Sequence, residues 1–295
     1  MLCSGCIDSQ IYISLAPDGS GTIEFKTVVT KEGISRVGPI VGALASANLL
    51  DGDMAADVLG IQDGVLPVKE VLAVIGFDTM AGLGPLFGPG VHLYDYIPYD
   101  SPEFVGFRAM YRFKDLNQIR LGSPGNQEQS VPPWMYKFAF HPGSWNQVLL
   151  IPPHRESHVG KPTVRTRFDA LLTALAAAPV AKQKILEEFG EAQATIILAL
   201  PGTLGRSSAR YRIPGETSRI VLFGAQAKRM TDGIDVLRVL NVRSPSDLSV
   251  LYHENRNGVV LQNPLKPMVI EFRMEEDEPE TPPVEAPSGQ PPEQR

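Results

Sequence analysis

The fold of this chain is decided by the stretch Ile11-Tyr12-Ile13-Ser14-Leu15-Ala16-Pro17-Asp18-Gly19-Ser20-Gly21-Thr22-Ile23-Glu24-Phe25. Its large apolar residues alternate with polar or small ones, at Ile11, Ile13, Leu15, Ile23 and Phe25. Alternation of period two is typical of β-strands, and a short run rich in Pro, Asp and Gly between two such strands indicates a hairpin. We therefore predict a hairpin whose loop spans 17–21. Gly19 and Gly21 can adopt positive φ there, and Asp18 can accept a hydrogen bond from the backbone two residues on.

The residues just before this hairpin, Leu2-Cys3-Ser4-Gly5-Cys6, read as the end of a bacterial lipoprotein signal. Small residues before a cysteine let a signal peptidase reach the bond, after which the thiol carries a diacylglyceryl group and becomes the mature N-terminus. Ser4, Gly5 and Cys6 fit this pattern, whereas Cys3 stands where leucine is usual. No charged and apolar leader precedes them, so we expect the printed start to be internal to a longer gene or trimmed. Residues 1–6 are thus predicted to be a signal remnant, with the lipid on Cys6.

Other interpretations of Cys3-x-x-Cys6 stay open. A redox dithiol would need a cation or a helix N-terminus to activate a thiolate, and the first basic residue after it is Lys26. A zinc site would need a second pair of ligands at suitable spacing. An ordinary chain terminus without chemistry is the remaining alternative.

Charge and composition limit the classes of function. Seven of the 33 acidic side chains but one of the 27 basic ones fall in 274–295, which leaves 26 of each in residues 1–273. A neutral body gives no electrostatic case for nucleic acid as a partner. Both cysteines lie in the first six residues, so an internal disulfide framework is excluded. No run reaches the roughly 18 apolar residues that a membrane-spanning helix needs.

The pattern along the chain predicts an α+β body over residues 7–273, with an antiparallel sheet packed by helices on one face. Strands are predicted from alternation, in Val91–Tyr99, Phe104–Phe113, Trp134–Leu150 (a pair), Ala192–Leu200, Ser208–Ile213, Arg219–Phe223 and Pro267–Met274. Helices are predicted in 31–60, 65–77, 168–178, 180–189, 234–240 and 245–252. A split near residue 160 into two subdomains is the alternative. Residues 274–295, with six prolines and seven acids, are predicted to be a disordered, solvated tail.

Aromatic residues are concentrated in the middle of the chain and suggest a surface for an apolar ligand. The candidate ligand-binding residues are Tyr94, Tyr96, Phe107, Trp134, Tyr136 and Trp145. Aromatic side chains at strand spacing also serve as ordinary core, so core packing is the competing interpretation.

No set of residues commits the chain to a reaction, and we expect no catalytic residue, no cofactor and no metal. The nearest approaches to a hydrolase are Ser144 near His141, and His154 with Glu156. Nucleophilic catalysis also needs a third group that orients the base, and no Gly-x-Ser-x-Gly elbow is present. His154 and His158 have helical spacing for a metal, but the prolines around them disfavour a helix.

Several of these stretches resemble bacterial envelope lipoproteins, and loosely the mycobacterial LppM-like group. The resemblance lies in Gly5-Cys6 followed by a strand, Pro17-Asp18-Gly19-Ser20-Gly21-Thr22, Tyr111-Arg112-Phe113-Lys114-Asp115 and Leu200-Pro201-Gly202. It implies a lipid-anchored α+β domain outside the cytoplasm, and for LppM-like members it suggests lipid binding.

Together these features favour a non-catalytic lipoprotein of the bacterial cell envelope, facing the periplasm or the exterior. It would be held at a membrane by a lipid on Cys6 and would act as a binding or scaffolding module for an envelope protein. A carrier of a lipid or other apolar ligand is the alternative, and a hydrolase is a third hypothesis.

Overall fold

The computed structural model describes 7–32, 86–123, 134–153, 190–213, 215–216, 218–231 and 258–274, with single positions 183, 186, 187, 235, 251 and 252. The strands are β1 Ile7–Leu15, β2 Gly21–Thr30, β3 Val91–Asp100, β4 Phe104–Phe113, β5 Arg120–Ser123, β6 Trp134–His141, β7 Asn146–Ile151, β8 Gln193–Ala199, β9 Thr203–Ser207, β10 Arg219–Gln226, β11 Val259–Leu261 and β12 Met268–Arg273. Two single-turn 3₁₀ helices, Leu116–Gln118 and Ala227–Arg229, follow β4 and β10.

These strands form two sheets. The seven-stranded sheet has the order β11-β10-β8-β1-β2-β4-β3, and the five-stranded sheet has the order β5-β6-β7-β12-β9. β1 is the middle strand of the larger sheet, antiparallel to β2 and parallel to β8. Both sheets combine strands from before and after residue 160.

The predicted α+β architecture, with helices packed on one face of an antiparallel sheet, is wrong. No helix of seven or more residues occurs in the described part of the chain, and the sheet is not purely antiparallel because β1 and β8 are parallel. The physical reason is that each sheet has an apolar face, and the two faces share one core. The predicted helices lie almost entirely outside the described residues. Within those helices the structure describes only isolated helical positions, such as Gln183, Asp235 and Leu251.

Alternation along the strands builds this core. β4 buries Val105, Phe107, Ala109, Tyr111 and Phe113, and β12 buries Met268, Ile270 and Phe272. Rings meet edge to face, with centroids of Phe25 and Phe107 5.1 Å apart and those of Phe87 and Tyr111 4.9 Å apart. The predicted strands at Phe104–Phe113 and at the end of the body are therefore confirmed, with the predicted faces inward.

The hairpin at the start of the chain is also confirmed. Its turn is closed by hydrogen bonds from the Ala16 backbone N–H to the Ser20 carbonyl (2.7 Å) and from the Gly19 N–H to the Ala16 carbonyl (3.1 Å). Asp18 accepts from the Ser20 hydroxyl (2.6 Å) and backbone N–H (3.0 Å), and these two bonds lower the pKa of its carboxyl. Gly19 has φ +85°, as predicted.

This turn also joins the two sheets. The Leu116 N–H donates to the Gly19 carbonyl at 2.9 Å, and Asn117, in the same 3₁₀ turn, accepts from the Phe140 N–H of the smaller sheet at 2.8 Å. We call this the turn end of the molecule, because it lies at the end of β1 opposite Ile7.

Two strands depart from the prediction. The sequence predicts a strand at Ser208–Ile213 and none between 201 and 207, but β9 is Thr203–Ser207, paired with β12 across an irregular register. Of residues 208–213, Arg212 makes an isolated bridge to Ile220. Gly205 reads as a turn residue in sequence, whereas here it is a strand position whose missing side chain leaves room for the ring of Trp145.

Candidate functional site

The predicted lipidation site precedes the middle strand of the larger sheet. Cys6 itself, with residues 1–5, lies outside the described residues, and Ile7 is the first residue of β1. Ile7 pairs with Val29 of β2, and Asp8 pairs with Gln193 of β8. A lipid on Cys6 would therefore hold the sheet directly, with no linker between the acyl chains and a strand that is paired on both sides.

Charged side chains surround the end of the molecule at which β1 starts, which we call the β1-start end. They are Lys31, Glu32, Asp100, Glu103, Glu191, Lys228 and Arg229. Lys31 and Asp100 form an ion pair at 2.6 Å, while Lys228 and Glu191 are 4.0 Å apart. Exposed pairs of this kind contribute little to stability, but they make this end of the molecule polar.

The six candidate ligand-binding residues occupy different environments. Phe107 is 2% exposed within the core, and Tyr96 stacks on it with ring centroids 5.9 Å apart. Tyr94 sits at an irregularity in the edge strand β3, 44% exposed, with the guanidinium carbon of Arg112 4.2 Å from its ring centroid. The structure thus brings Tyr96 and Phe107 together and leaves Tyr94 at the surface.

Two candidates lie on β6. Trp134 is its first residue and pairs with Ser123 of β5; nothing further is described for its side chain. Tyr136 packs against the shared core, and its hydroxyl oxygen is buried with no hydrogen-bond partner among the described residues. Burial raises the pKa of the Tyr136 phenol far above its usual range. The phenol is therefore a neutral donor that has no described acceptor.

Trp145 lies in the β6–β7 connection and is 46% exposed. A Cβ on Gly205 would stand 2.3 Å from Cζ3 of its indole, so the ring occupies the space above that glycine. The guanidinium carbon of Arg273 is 5.5 Å from the ring centroid. Asn146 follows it and accepts a hydrogen bond from the Gly143 N–H at 3.2 Å, which braces the turn.

Trp145 belongs to the turn end. Trp145 follows β6 closely, and the β6 residue Phe140 donates its N–H to Asn117 at the turn end. Arg273, beside the indole, pairs with Thr203, which comes four residues after β8. The last residue of β8 pairs with Ser14, near the end of β1. Both connections place it at the opposite end of β1 from Ile7. Trp145 lies in a connection of the smaller sheet, whereas Tyr94 lies on β3 of the larger sheet.

The residues that sequence reasoning missed are Gly205 and Arg273. Arg273 lies within the predicted last strand, but its closeness to Trp145 depends on the pairing of β7 with β12. That pairing joins segments more than 100 residues apart, and no local pattern encodes it.

The structure describes some of the residues that were considered for a hydrolase or a metal site. His141 and Ser144 are both exposed in the β6–β7 turn, while His154, Glu156 and His158 lie outside the described residues. Within the described residues, no three His, Cys, Asp or Glu side chains come together as a metal site would require. No helix of that part combines the length and hydrophobicity needed to cross a bilayer.

Comparison with known proteins gives a single weak similarity to report. No protein-family model and no curated protein matches the chain. The NMR structure of the folded domain of Mycobacterium tuberculosis LppM is similar over 92% of this chain and 92% of that one, at 10% identity and a TM-score of 0.29. This is a weak structural resemblance to the LppM-like group.

Proposed function

We propose that this chain is a lipid-anchored, non-catalytic protein of the bacterial cell envelope, which acts as a binding or scaffolding module. The observation that carries the proposal is the position of Cys6, which ends a lipobox-like stretch and directly precedes the middle strand of the larger sheet. A lipid at this position would keep the β1-start end of the molecule nearer to the membrane than the turn end.

The length of β1 indicates how far the turn end stands from the membrane. β1 has nine residues, and a strand rises about 3.3 Å per residue, so the eight steps from its first to its last residue span roughly 26 Å. Trp145 and Arg273 would then be presented to molecules of the periplasm or the exterior. They would not be presented to the bilayer that holds the lipid.

The first prediction tests the anchor. In the native bacterium, with the gene at its own locus, we expect the wild-type protein to take up radioactive palmitate and to sediment with membranes. Cys6→Ala removes the acylated thiol and is expected to abolish the label and release the protein into the soluble fraction. The measurement is palmitate labelling together with membrane fractionation.

Cys3→Ala is the matched control, because residues before Cys6 are removed when a lipobox is cleaved. It is expected to keep both the label and the membrane association. Label that survives in Cys6→Ala, or a wild-type protein that stays in the cytosol, contradicts the proposal.

A second candidate function, carriage of a lipid or other apolar ligand, is favoured by the buried hydroxyl of Tyr136. A buried hydroxyl without a partner costs about 1–3 kcal/mol, and the polar group of a bound ligand would remove that cost. The ligand would lie next to this hydroxyl, where Tyr136 packs against the core shared by the two sheets.

The second prediction follows from this hydroxyl. Tyr136→Phe is expected to reduce the lipid that co-purifies with the protein at least several-fold, as measured by native mass spectrometry. The ligand-free protein should be as stable as wild type or slightly more so, because an unpaired buried hydroxyl has been removed. Tyr94→Phe changes an exposed hydroxyl and should leave the lipid content unaltered. A wild-type protein that carries no lipid after gentle purification, or equal lipid in Tyr136→Phe, rules the carrier out.

A further inference from the structure

The exposed indole at the turn end is the strongest surface feature that the proposed function does not use. We define the Trp145 surface as Trp145, Thr203, Gly205, Arg206 and Arg273. Trp145 is one of four large apolar side chains that are exposed in the described part of the chain. Tryptophan and arginine are among the residues most enriched at binding hot spots, so the pair is a candidate binding surface.

The surface is held in one geometry. The indole fills the space above Gly205, where any Cβ would collide with it, and the neighbouring turn is braced by the hydrogen bond between Gly143 and Asn146. A ring that is already fixed loses little conformational entropy when it is covered. The Trp145 surface is thus preorganised for a ligand.

The charges of this surface select the class of ligand. Arg206 and Arg273 are both exposed, and the guanidinium of Arg273 lies beside the indole. Guanidinium groups bind carboxylates through charge-assisted hydrogen bonds, and exposed aromatic rings receive proline-rich segments in an extended conformation. An acidic segment that contains proline fits this surface, because its carboxylates can bind the guanidinium groups and its prolines can pack on the indole.

An acidic, proline-containing segment begins at Glu275, two residues after the end of β12. Met274 follows Arg273 and packs against the core, so the chain is fixed at that point. Glu275, Glu276, Asp277 and Glu278 follow directly, and then come Pro279, Pro282 and Pro283. An extended chain advances at most about 3.6 Å per residue, so Pro279 can reach any point within roughly 18 Å of Met274.

We infer that the segment 275–283 docks on the Trp145 surface of its own chain, with its carboxylates on Arg206 and Arg273 and its prolines on the indole. The tether makes this encounter intramolecular, with an effective concentration in the millimolar range. A polyproline-type segment needs no internal hydrogen bonds to bind in this way.

The test compares the full chain with a chain that ends at Met274, both purified without a lipid. The protein has two tryptophans, so its ¹H–¹⁵N NMR spectrum contains two indole N–H signals, which Trp145→Phe assigns. Deleting 275–295 is expected to shift the Trp145 signal and to increase its quenching by acrylamide about twofold. The Trp134 signal should stay in place and show that the fold is intact. A synthetic peptide of residues 275–283, added at millimolar concentration, should restore the shift.

Proline replacements in the full chain separate docking from a general effect of charge. Pro279→Ser, Pro282→Ser and Pro283→Ser together should reproduce the truncated spectrum, whereas the same change at Pro287, Pro291 and Pro292 should not. A Trp145 signal that is identical in the full and truncated chains overturns the inference. A shift that depends on protein concentration also overturns it, because the tail of a second copy would then be the occupant. None of these results depends on acylation of Cys6.

Discussion

Phe272→Ala is expected to lower the free energy of unfolding by about 3–5 kcal/mol, the usual cost of emptying a buried phenylalanine site. Phe272 is 0% exposed and stacks on Phe140 with ring centroids 6.5 Å apart. It pairs with Asn146 on one side and Leu204 on the other, so three strands of the smaller sheet surround it. A small side chain would leave a cavity against the larger sheet, which these strands cannot close. Chemical denaturation monitored by circular dichroism measures the change.

Glu271→Ala is the control, because Glu271 precedes Phe272 in the same strand and faces outward. Its effect is expected to stay within about 0.5 kcal/mol, as for most surface substitutions. If the two variants lost similar stability, the inward face of β12 would not be part of a shared core, and the two-sheet description would be wrong.

Gly19→Ala is expected to cost about 2–4 kcal/mol, the sum of two separate penalties. Its φ of +85° is unfavourable for any residue with a Cβ. That Cβ would also stand 2.6 Å from the Phe140 ring, at the contact between the hairpin turn and the smaller sheet. Phe140 is tied down by the hydrogen bond from its N–H to Asn117, so the ring cannot move without disturbing the junction. Thermal and chemical unfolding of the variant measure the loss.

Gly215→Ala separates the two penalties. Gly215 has nearly the same φ, +79°, but nothing in the described part of the chain lies within 4 Å of the Cβ that alanine would add. Only the backbone penalty applies there, about 1–2 kcal/mol. Equal losses at the two glycines would mean that the Phe140 contact contributes nothing to the junction.

The sequence predicts the strands well where the signal is local. Ile13 and Ile23 face each other across β1 and β2 as the alternation implies, and Asp18 and Gly19 form the turn that their chemistry favours. The inward face of Met268, Ile270 and Phe272 follows from alternation alone. Each of these features depends on residues within about ten positions of one another.

What failed depends on contacts between distant segments. The parallel pairing of β1 with β8 joins residues more than 180 positions apart, and no periodic pattern reports it. β9 was missed because Gly205 resembles a turn residue unless the ring of Trp145 is known to lie over it. The helices packed on a sheet were inferred from Ala- and Leu-rich stretches, whereas the described sheet faces cover one another.

The candidate site shows the same division. Phe107 and Trp145 are both aromatic residues at or next to strands, so sequence treats them alike. Burial separates them, because Phe107 lies in the core and Trp145 is exposed beside Arg273. Cys6 was identified from its neighbours in sequence, and the fold adds that the strand directly after it is the centre of the larger sheet.

The mass of the mature N-terminal peptide tests the central claim most directly. The protein is purified from membranes of its native bacterium and digested, and its first peptide is analysed by tandem mass spectrometry. We predict that this peptide begins at Cys6 and carries a thioether-linked diacylglyceryl group on that sulfur. A first peptide that extends upstream of Cys6 with an unmodified thiol contradicts the account.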